Sequence, residues 1–356
     1  MSVHLISATD AMARYDHFDA VIDARSEGEY AEDHLPAAIN WPSLNNEERI
    51  QVGTLYKQVS PFEAQKIGAA LVAANISRHI LAHVLDKPKN WQPLVYCWRG
   101  GKRSNSLALI LGQIGFKVHL IEGGYKAFRN AVVDDTPARV QPLQFRVLCG
   151  PTGSGKTRLL QALAAQGAQV LDLEAIASHR ASVLGVIPGK PQPTQKAFET
   201  QLWDALRRYD PARPVFVEAE SKKVGNLTVP ESLINVMRAS ACVRLDLSLQ
   251  SRVQLLLEDY DYFVKDPAYF CERLDRLSDL KGRALIDDWK ARVQAGQTAQ
   301  VVAELLERHY DPGYETSTAR NFRHYAQAPQ LPLAGPSHAA MADAARQCLA
   351  QAWQAH

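Results

Sequence analysis

The chain has 356 residues, 46% of them hydrophobic and 22% charged, with a formal net charge of +2. That length leaves room for two or three domains at ~150 residues each, and a near-neutral balance excludes a global field for nucleic acid, so any RNA contact must be a local patch. The five cysteines (Cys97, Cys149, Cys242, Cys271 and Cys348) include no C-x-x-C pair, which argues against a disulfide framework or a zinc site and for a reducing compartment. The opening MSVHLISATDAMARYD lacks a basic start followed by an apolar core, and no apolar run approaches the ~20 residues that span a bilayer. A cytoplasmic protein with no membrane partner is expected.

In chain order, the first strand-like run is Ala20–Ala24, AVIDA. It leads into Asp23, Arg25, Glu29, Tyr30, His34, Pro36, Ala38, Ile39 and Asn40. Singly these are ordinary turn, cap and surface residues; as an ordered set they resemble the opening of a rhodanese domain. Residues 45–58, NNEERIQVGTLYKQ, and the helical pattern PFEAQKIGAALVAANI then read as an amphipathic connector. A second apolar strand, PLVYC, runs into Cys97-Trp98-Arg99-Gly100-Gly101-Lys102-Arg103-Ser104, and a helix follows. A cysteine at a strand end, in a glycine loop that opens a helix, favours thiolate: backbone N–H groups, the helix dipole and Arg99, Lys102 and Arg103 act together. The same cradle, Arg99 through Ser104, suits an anionic group on the sulfur. Cys97 to Arg103 spells C-x₅-R, one residue longer than many rhodanese loops and equal to that of cysteine-dependent phosphatases. The cradle is therefore expected to admit a phosphate-sized oxyanion carrying a chalcogen. The glycine turn and helix of EGGYKAFR also resemble the end of a rhodanese domain.

Residues 133–144, polar and carrying two prolines, read as an interdomain linker. After it, FRVLCGPTGSGKT fits G-x-x-x-x-G-K-[ST], a P-loop with an apolar strand before it and a helix after it. Gly150, Thr152, Gly153, Ser154, Gly155, Lys156 and Thr157 are the expected diphosphate-binding residues. The backbone N–H groups and the Lys156 charge meet the anion, and the Thr157 hydroxyl meets Mg²⁺. Past the next strand come Asp172, a candidate second acid, and then His179 and Arg180, where ligands of open α/β sheets bind. The strand PVFVEAES ends in Glu218 and Glu220, where a P-loop protein places its Mg²⁺-handling carboxylate; Glu218 is the first candidate and Glu220 the second. Lys222 is a further ligand candidate. From about Asp266 the pattern is helical, with Arg273, Arg276 and Arg283 near one face that either meets RNA or is simply solvated. Tyr310-Asp311-Pro312 is expected to end a helix. The fold class is α/β: a rhodanese-like domain at 1–132, the linker at 133–144, a P-loop parallel-sheet domain at 145–265 and a helical region at 266–356.

A rhodanese-like domain joined to a P-loop domain resembles the bacterial tRNA 2-selenouridine synthases, over nearly the whole chain. The segments that carry the likeness are NNEERIQVGTLYKQ, CWRGGKRS, EGGYKAFR, GPTGSGKT, DLEAIASHR, VEAESKKVG and YDPGY. The family usually has Gly where this chain has Ala181, and often Asp where it has Ala219. The resemblance implies a transferase acting on wobble 2-thiouridine of tRNA. It attaches a geranyl group from geranyl diphosphate to the sulfur, then replaces S-geranyl with selenium from selenophosphate, which a selenophosphate synthase supplies. Cys97 would carry selenium as a selenylsulfide. The P-loop, with Mg²⁺ on Thr157 and Glu218, would hold the diphosphate. No tightly bound organic cofactor is implied, and a monomer is expected. Tyr260, Tyr262, Phe263, Tyr269 and Phe270 are candidates for a geranyl pocket by composition only, with helix-packing core as the plainer reading. The residues themselves also fit an ATP-coupled rhodanese-type sulfurtransferase, a phosphatase–kinase fusion or a tRNA- or nucleotide-binding regulator.

Overall fold

The computed structural model describes residues 3–180, 182 and 184–350; Ala181 lies outside the described residues. The chain forms two compact units. One comprises the residues up to Thr136 together with Pro193–Asp204; the other comprises Pro137–Gln192 and the residues from Ala205 onward.

The first unit is built on five parallel strands: β1 (Val3–Ile6), β2 (Ala20–Asp23), β3 (Ile39–Asn40), β4 (Pro93–Tyr96) and β5 (Val118–Ile121). Their order is β1-β5-β4-β2-β3. A parallel sheet is covered on both faces, so its inner strands read as unbroken apolar runs. PLVY and VHLI are accordingly buried at every position. β4 lies in the middle, and Cys97 follows its last residue. The connector forms two helices, Asn46–Gln58 and Pro61–His83, the first opened by a capping box in which Asn45 and Glu48 exchange side-chain and backbone bonds.

A segment from the second half of the sequence completes this unit. Trp203 is fully buried, edge-on to Tyr15 and Phe128, and its Nε1 donates to Asp135 at 2.8 Å. The Thr200 hydroxyl donates to buried Asp33 at 3.0 Å, and Arg129 pairs with Glu199. The Tyr125 hydroxyl also reaches Asp33, at 2.7 Å.

The second unit has the strands β6 (Phe145–Cys149), β7 (Gln169–Leu171) and β8 (Val215–Glu218), a short hairpin of β9 (Lys223–Val224) and β10 (Leu227–Thr228), then β11 (Ala241–Asp246) and β12 (Gln330–Pro332). The main sheet is parallel, in the order β12-β11-β6-β8-β7. Among the described residues no helix is long and apolar enough to cross a membrane.

Four expectations need correction. Residues 133–144 do hold the border between the two units, after Thr136, but as helix for most of their length: the helix that starts at Gly124 runs to Val140 with Pro137 inside it. Phe128, Val132, Thr136 and Val140, spaced four apart, are all buried, so one apolar stripe continues across the proline, which removes only a single ladder bond. Residues 266–356 are not purely helical, since β12 adds an edge strand to the P-loop sheet. Tyr310-Asp311-Pro312 does not stop a helix. A π-helical segment, Leu306–Tyr310, passes directly into a helix at Asp311–Asn321, and the Arg308 carbonyl, four residues before Pro312, accepts the Lys281 ammonium at 2.7 Å. Finally, Arg273 is 3% exposed while Arg276 and Arg283 are exposed on other segments, so the three form no common solvent face.

Trp203→Ala is expected to destabilise the first unit by about 3–5 kcal/mol, the range for deleting a large buried aromatic. Urea unfolding followed by the fluorescence of Trp41 and Trp91 checks this.

Candidate functional site

Cys97 is 2% exposed. Its sulfur receives the Gly101 N–H at 3.2 Å and the Ser104 hydroxyl at 3.0 Å. The loop is shaped by the chain that follows β5. Tyr125 N–H bonds Cys97 O at 2.8 Å and Lys126 N–H bonds Trp98 O at 3.1 Å. Gly124 makes this approach possible: at φ +57°, a Cβ there would stand 2.2 Å from Cys97 O. Two sequence-predicted cations, Arg99 and Lys102, are exposed beside the loop. Arg103 is not free to meet an anion. Its guanidinium pairs with Glu29 at 2.6 Å, and against the burial that pushes Glu29 up, this bond and charge hold that carboxyl below its usual range. The cradle therefore offers N–H and hydroxyl donors first and exposed cations second.

The P-loop spans Gly150–Gly155, and its helix, Lys156–Ala165, starts at Gly155, which takes φ +86°. Lys156 Nζ lies back on the carbonyl of Gly150 at 2.7 Å and over the ring of Tyr314 at 5.5 Å. Ser154 is fully buried, and its hydroxyl has no partner among the described residues. The loop is held from outside by residues to which sequence reasoning assigned no role. Arg252 forms a bidentate pair with Asp311 (2.6 and 2.9 Å) and donates to Thr152 O at 2.8 and 3.0 Å. The Tyr314 hydroxyl accepts the Gly150 N–H at 2.6 Å. The available signal was the YDPGY segment, in which Asp311 and Tyr314 stand three apart on one helical face.

Beside Thr157 stand three carboxylates. The Thr157 hydroxyl lies 3.3 Å from Glu218 and 3.4 Å from Glu174, and ligand atoms of Glu174, Glu218 and Glu220 fall within 4.8 Å of one another. Glu218 and Glu220 are 1% and 6% exposed. Burial, then the charge of Glu174, pushes Glu218 well above the ordinary range and Glu220 up to about 8. Asp172 is not part of this group. It caps the helix Leu173–Ala177 by accepting the Ala175 N–H at 2.8 Å, and the first turn of that helix supplies Glu174 instead. A hydroxyl and three carboxylates this close together are the donor set of a hard divalent cation such as Mg²⁺. Ala219, between two of the acids, offers no ligand.

A single polar cleft is lined by Thr152 through Arg158, the three acids, His179, Arg180 and Ser221. His179 is 6% exposed, its Nδ1 has no partner among the described residues, and burial and the Arg273 charge hold it below the usual histidine range. Arg180 lies over the ring of Tyr260 at 4.3 Å. Lys222 is exposed and does not line the cleft. An apolar cavity adjoins it, sharing Thr152, Ser182, Leu256 and Tyr260. Of the aromatic candidates, Tyr260, Phe263 and Phe270 line this cavity, whereas Tyr262 and Tyr269 line a different hollow.

Known proteins match both units. A model for the rhodanese-like domain matches residues 7–131, and one for the tRNA 2-selenouridine synthase AAA domain matches residues 143–275. The chain is 37% identical over 244 residues to a tRNA 2-selenouridine synthase of Nitrosomonas europaea, covering 67% of this chain and 63% of that protein. It is 30% identical over 347 residues to one from Shewanella halifaxensis, covering 88% and 93%. The match to the Nitrosomonas europaea protein thus spans less than two thirds of that relative's length.

Two outcomes are expected. In metal-free buffer, as pH rises from about 4.5 toward 8, the unfolded chain releases the Glu220 proton while the folded chain keeps it, so stability falls across that window and levels above it. Glu220→Gln flattens the slope in urea titrations run at successive pH values. Arg252→Met, which frees the P-loop carbonyl, is expected to weaken inorganic diphosphate binding about tenfold in calorimetry, in line with ~1.5–3 kcal/mol for a charged hydrogen bond.

Proposed function

The chain belongs to the tRNA 2-selenouridine synthase family, and we propose that it converts wobble 2-thiouridine of tRNA to 2-selenouridine, through S-geranylation by geranyl diphosphate and then selenation from selenophosphate. The observation that supports this best is the pairing, in one chain, of a thiol cradled by N–H donors with a P-loop backed by buried acids. One loop suits a chalcogen on an oxyanion; the other suits a diphosphate leaving group.

In the first reaction the thiocarbonyl sulfur attacks C1 of the allylic chain. The C1–O bond breaks, its electron pair leaves with the diphosphate, and the N3 proton of the base is lost. The N–H groups of the P-loop and the Lys156 ammonium receive the growing charge, the ammonium released from its present bond to the Gly150 carbonyl. Thr157, Glu218, Glu174 and Glu220 would hold Mg²⁺, which supplies further charge neutralisation on the diphosphate when bound. In the second reaction the Cys97 loop takes the selenium-bearing oxyanion. The Gly101 N–H and Ser104 hydroxyl orient the Cys97 sulfur, and Arg99 and Lys102 attract the anion. The selenium of selenophosphate then attacks C2, the C2–S bond breaks, and the sulfur leaves as geranylthiol with a proton; water takes the phosphoryl group as the Se–P bond breaks, releasing inorganic phosphate with no change in the oxidation level of selenium.

Mass spectrometry of nucleosides from 2-thiouridine tRNA, incubated with the protein, geranyl diphosphate, Mg²⁺ and then selenophosphate, tests the reading. Lys156→Ala is expected to lower geranylation at least a hundredfold, as loss of a donor to the developing charge does elsewhere. Cys97→Ala is expected to leave geranylation in place and abolish selenation. No nucleoside change with the unaltered protein, alongside ATP turnover, overturns the reading in favour of an ATP-coupled sulfurtransferase.

A further inference from the structure

The connector segment is fastened to the Cys97 loop through one carboxylate, Glu29. None of the residues of its first helix, Asn46–Gln58, is fully buried, yet the helix start is pinned. The Asn46 N–H bonds Glu27 at 3.0 Å, and the Asn46 side-chain oxygen accepts the Gly28 N–H at 2.9 Å. Early in the same helix, Arg49 places its Nε 3.1 Å from Glu29. Just before the helix, the Ser43 hydroxyl donates to the carbonyl of Arg103 at 3.0 Å. Glu29 is the hub. It accepts the Ser26 N–H at 3.2 Å and the Arg103 guanidinium at 2.6 Å, and its side chain is 12% exposed.

Arg103 is thereby held away from the anion that its spacing would have it meet. Cys97 and Arg103 stand at C-x₅-R, in which the arginine fork closes over a phosphate lying on the sulfur. The next residue, Ser104, already sets its hydroxyl 3.0 Å from that sulfur, and the Gly101 N–H lies 3.2 Å from it. A guanidinium presented here would grip two phosphate oxygens at once, a geometry that single N–H donors do not supply. Such a grip acts on the phosphoryl oxygens. A selenium-bearing phosphate and the inorganic phosphate left after its reaction have those oxygens in common. Binding that is equal before and after the reaction lowers KM without raising kcat, and it holds the product back.

We propose that Glu29 is a positioning residue that sets how tightly the Cys97 loop holds an oxyanion: by keeping Arg103 off the loop, it leaves inorganic phosphate weakly bound and quick to depart. The connector contributes by fixing Glu29 through Arg49 and through the bonds of Asn46 to its helix. This rests on the reading that the Cys97 loop receives selenophosphate, but the hold on phosphate itself is measurable without it.

The test uses the full chain, unaltered and as Glu29→Gln, Glu29→Asp, Arg103→Ala and the double variant Glu29→Gln with Arg103→Ala. Gln keeps an oxygen for the Ser26 N–H, so the capping box that opens the helix Glu27–Glu32 is retained, and thermal unfolding checks that each variant folds. Iodoacetamide labelling is read on the Cys97 peptide alone, because phosphate also enters the P-loop, and gives the phosphate concentration that halves the rate. Phosphate inhibition of selenation, on tRNA already S-geranylated, gives a second value. Glu29→Gln is expected to lower both concentrations about tenfold or more, the scale of one charged hydrogen bond. Glu29→Asp, a methylene shorter, is expected to lower them by a smaller factor, and it serves where Glu29→Gln does not fold. Glu29→Gln is also expected to lower kcat and the KM for selenophosphate together, whereas a merely structural loss would lower kcat/KM. On the Arg103→Ala background the same change should alter either concentration by less than about threefold, as expected when the effect runs through the arginine. A full gain without Arg103 reduces Glu29 to a nearby charge, and no gain in folded variants makes it structural; either result overturns the proposal. An unaltered protein that does not selenate overturns the proposed function, and the labelling then decides alone whether Glu29 governs the hold on phosphate.

Discussion

The second unit depends on Arg252. Its guanidinium is 8% exposed at the side chain, faces Asp311 with two bonds and spends its remaining donors on the carbonyl of Thr152. A planar fork suits this double duty, which an ammonium could not perform. Removing one partner of such a pair leaves a charge poorly solvated, which typically costs about 3–5 kcal/mol when buried. The consequence reaches beyond stability. The bonds fix the P-loop backbone at Thr152 and, through Asp311, the start of the helix that carries Tyr314. The π-helical turn before Asp311 is held in the same grip, so loop, cavity wall and cleft share one support.

The Cys97 loop is braced differently. Its shape is set by backbone contacts with the Gly123-Gly124 turn, and its one internal cation, Arg103, is taken up by Glu29. That leaves the sulfur among N–H and hydroxyl donors, with Arg99 and Lys102 outside. Such an arrangement orients an anion by directed bonds and attracts it by exposed charge. The unit around it is completed by Thr200 and Trp203, whose partners Asp33 and Asp135 lie far earlier in the chain. Asp33 gathers the hydroxyls of Tyr125 and Thr200 and the charge of Arg129, although burial pushes its carboxyl upward.

The acids next to Thr157 show the opposite strategy. Glu218 and Glu220 are buried beside Glu174, whose charge raises the proton affinity of both, while Lys156 opposes the rise. Burying such acids side by side holds protons on them or costs stability, and a bound cation relieves both. A cation held by these acids would stand beside the P-loop, next to Thr157.

The strand–loop–helix form of both glycine loops was legible in the sequence because each is local: a strand, a glycine loop and a helix start lie within a dozen residues. So was the order of the two units, since unbroken apolar strands alternating with helices dictate parallel sheets. The Cys97 cradle was over-counted, because Arg103 meets Glu29 across 74 positions, a pairing no local pattern carries. Asp172 was named as an acid candidate and Glu174 was not, for a related reason: which of two neighbouring acids caps a helix and which joins the cluster depends on where the strand ends. The bracing of the P-loop by Arg252 and Asp311, the π-helical turn, the apolar cavity and the embedding of Trp203 in the first unit were decided by tertiary structure alone. Each arises from side chains tens to hundreds of positions apart, brought together only when burial of the whole apolar surface selects one packing.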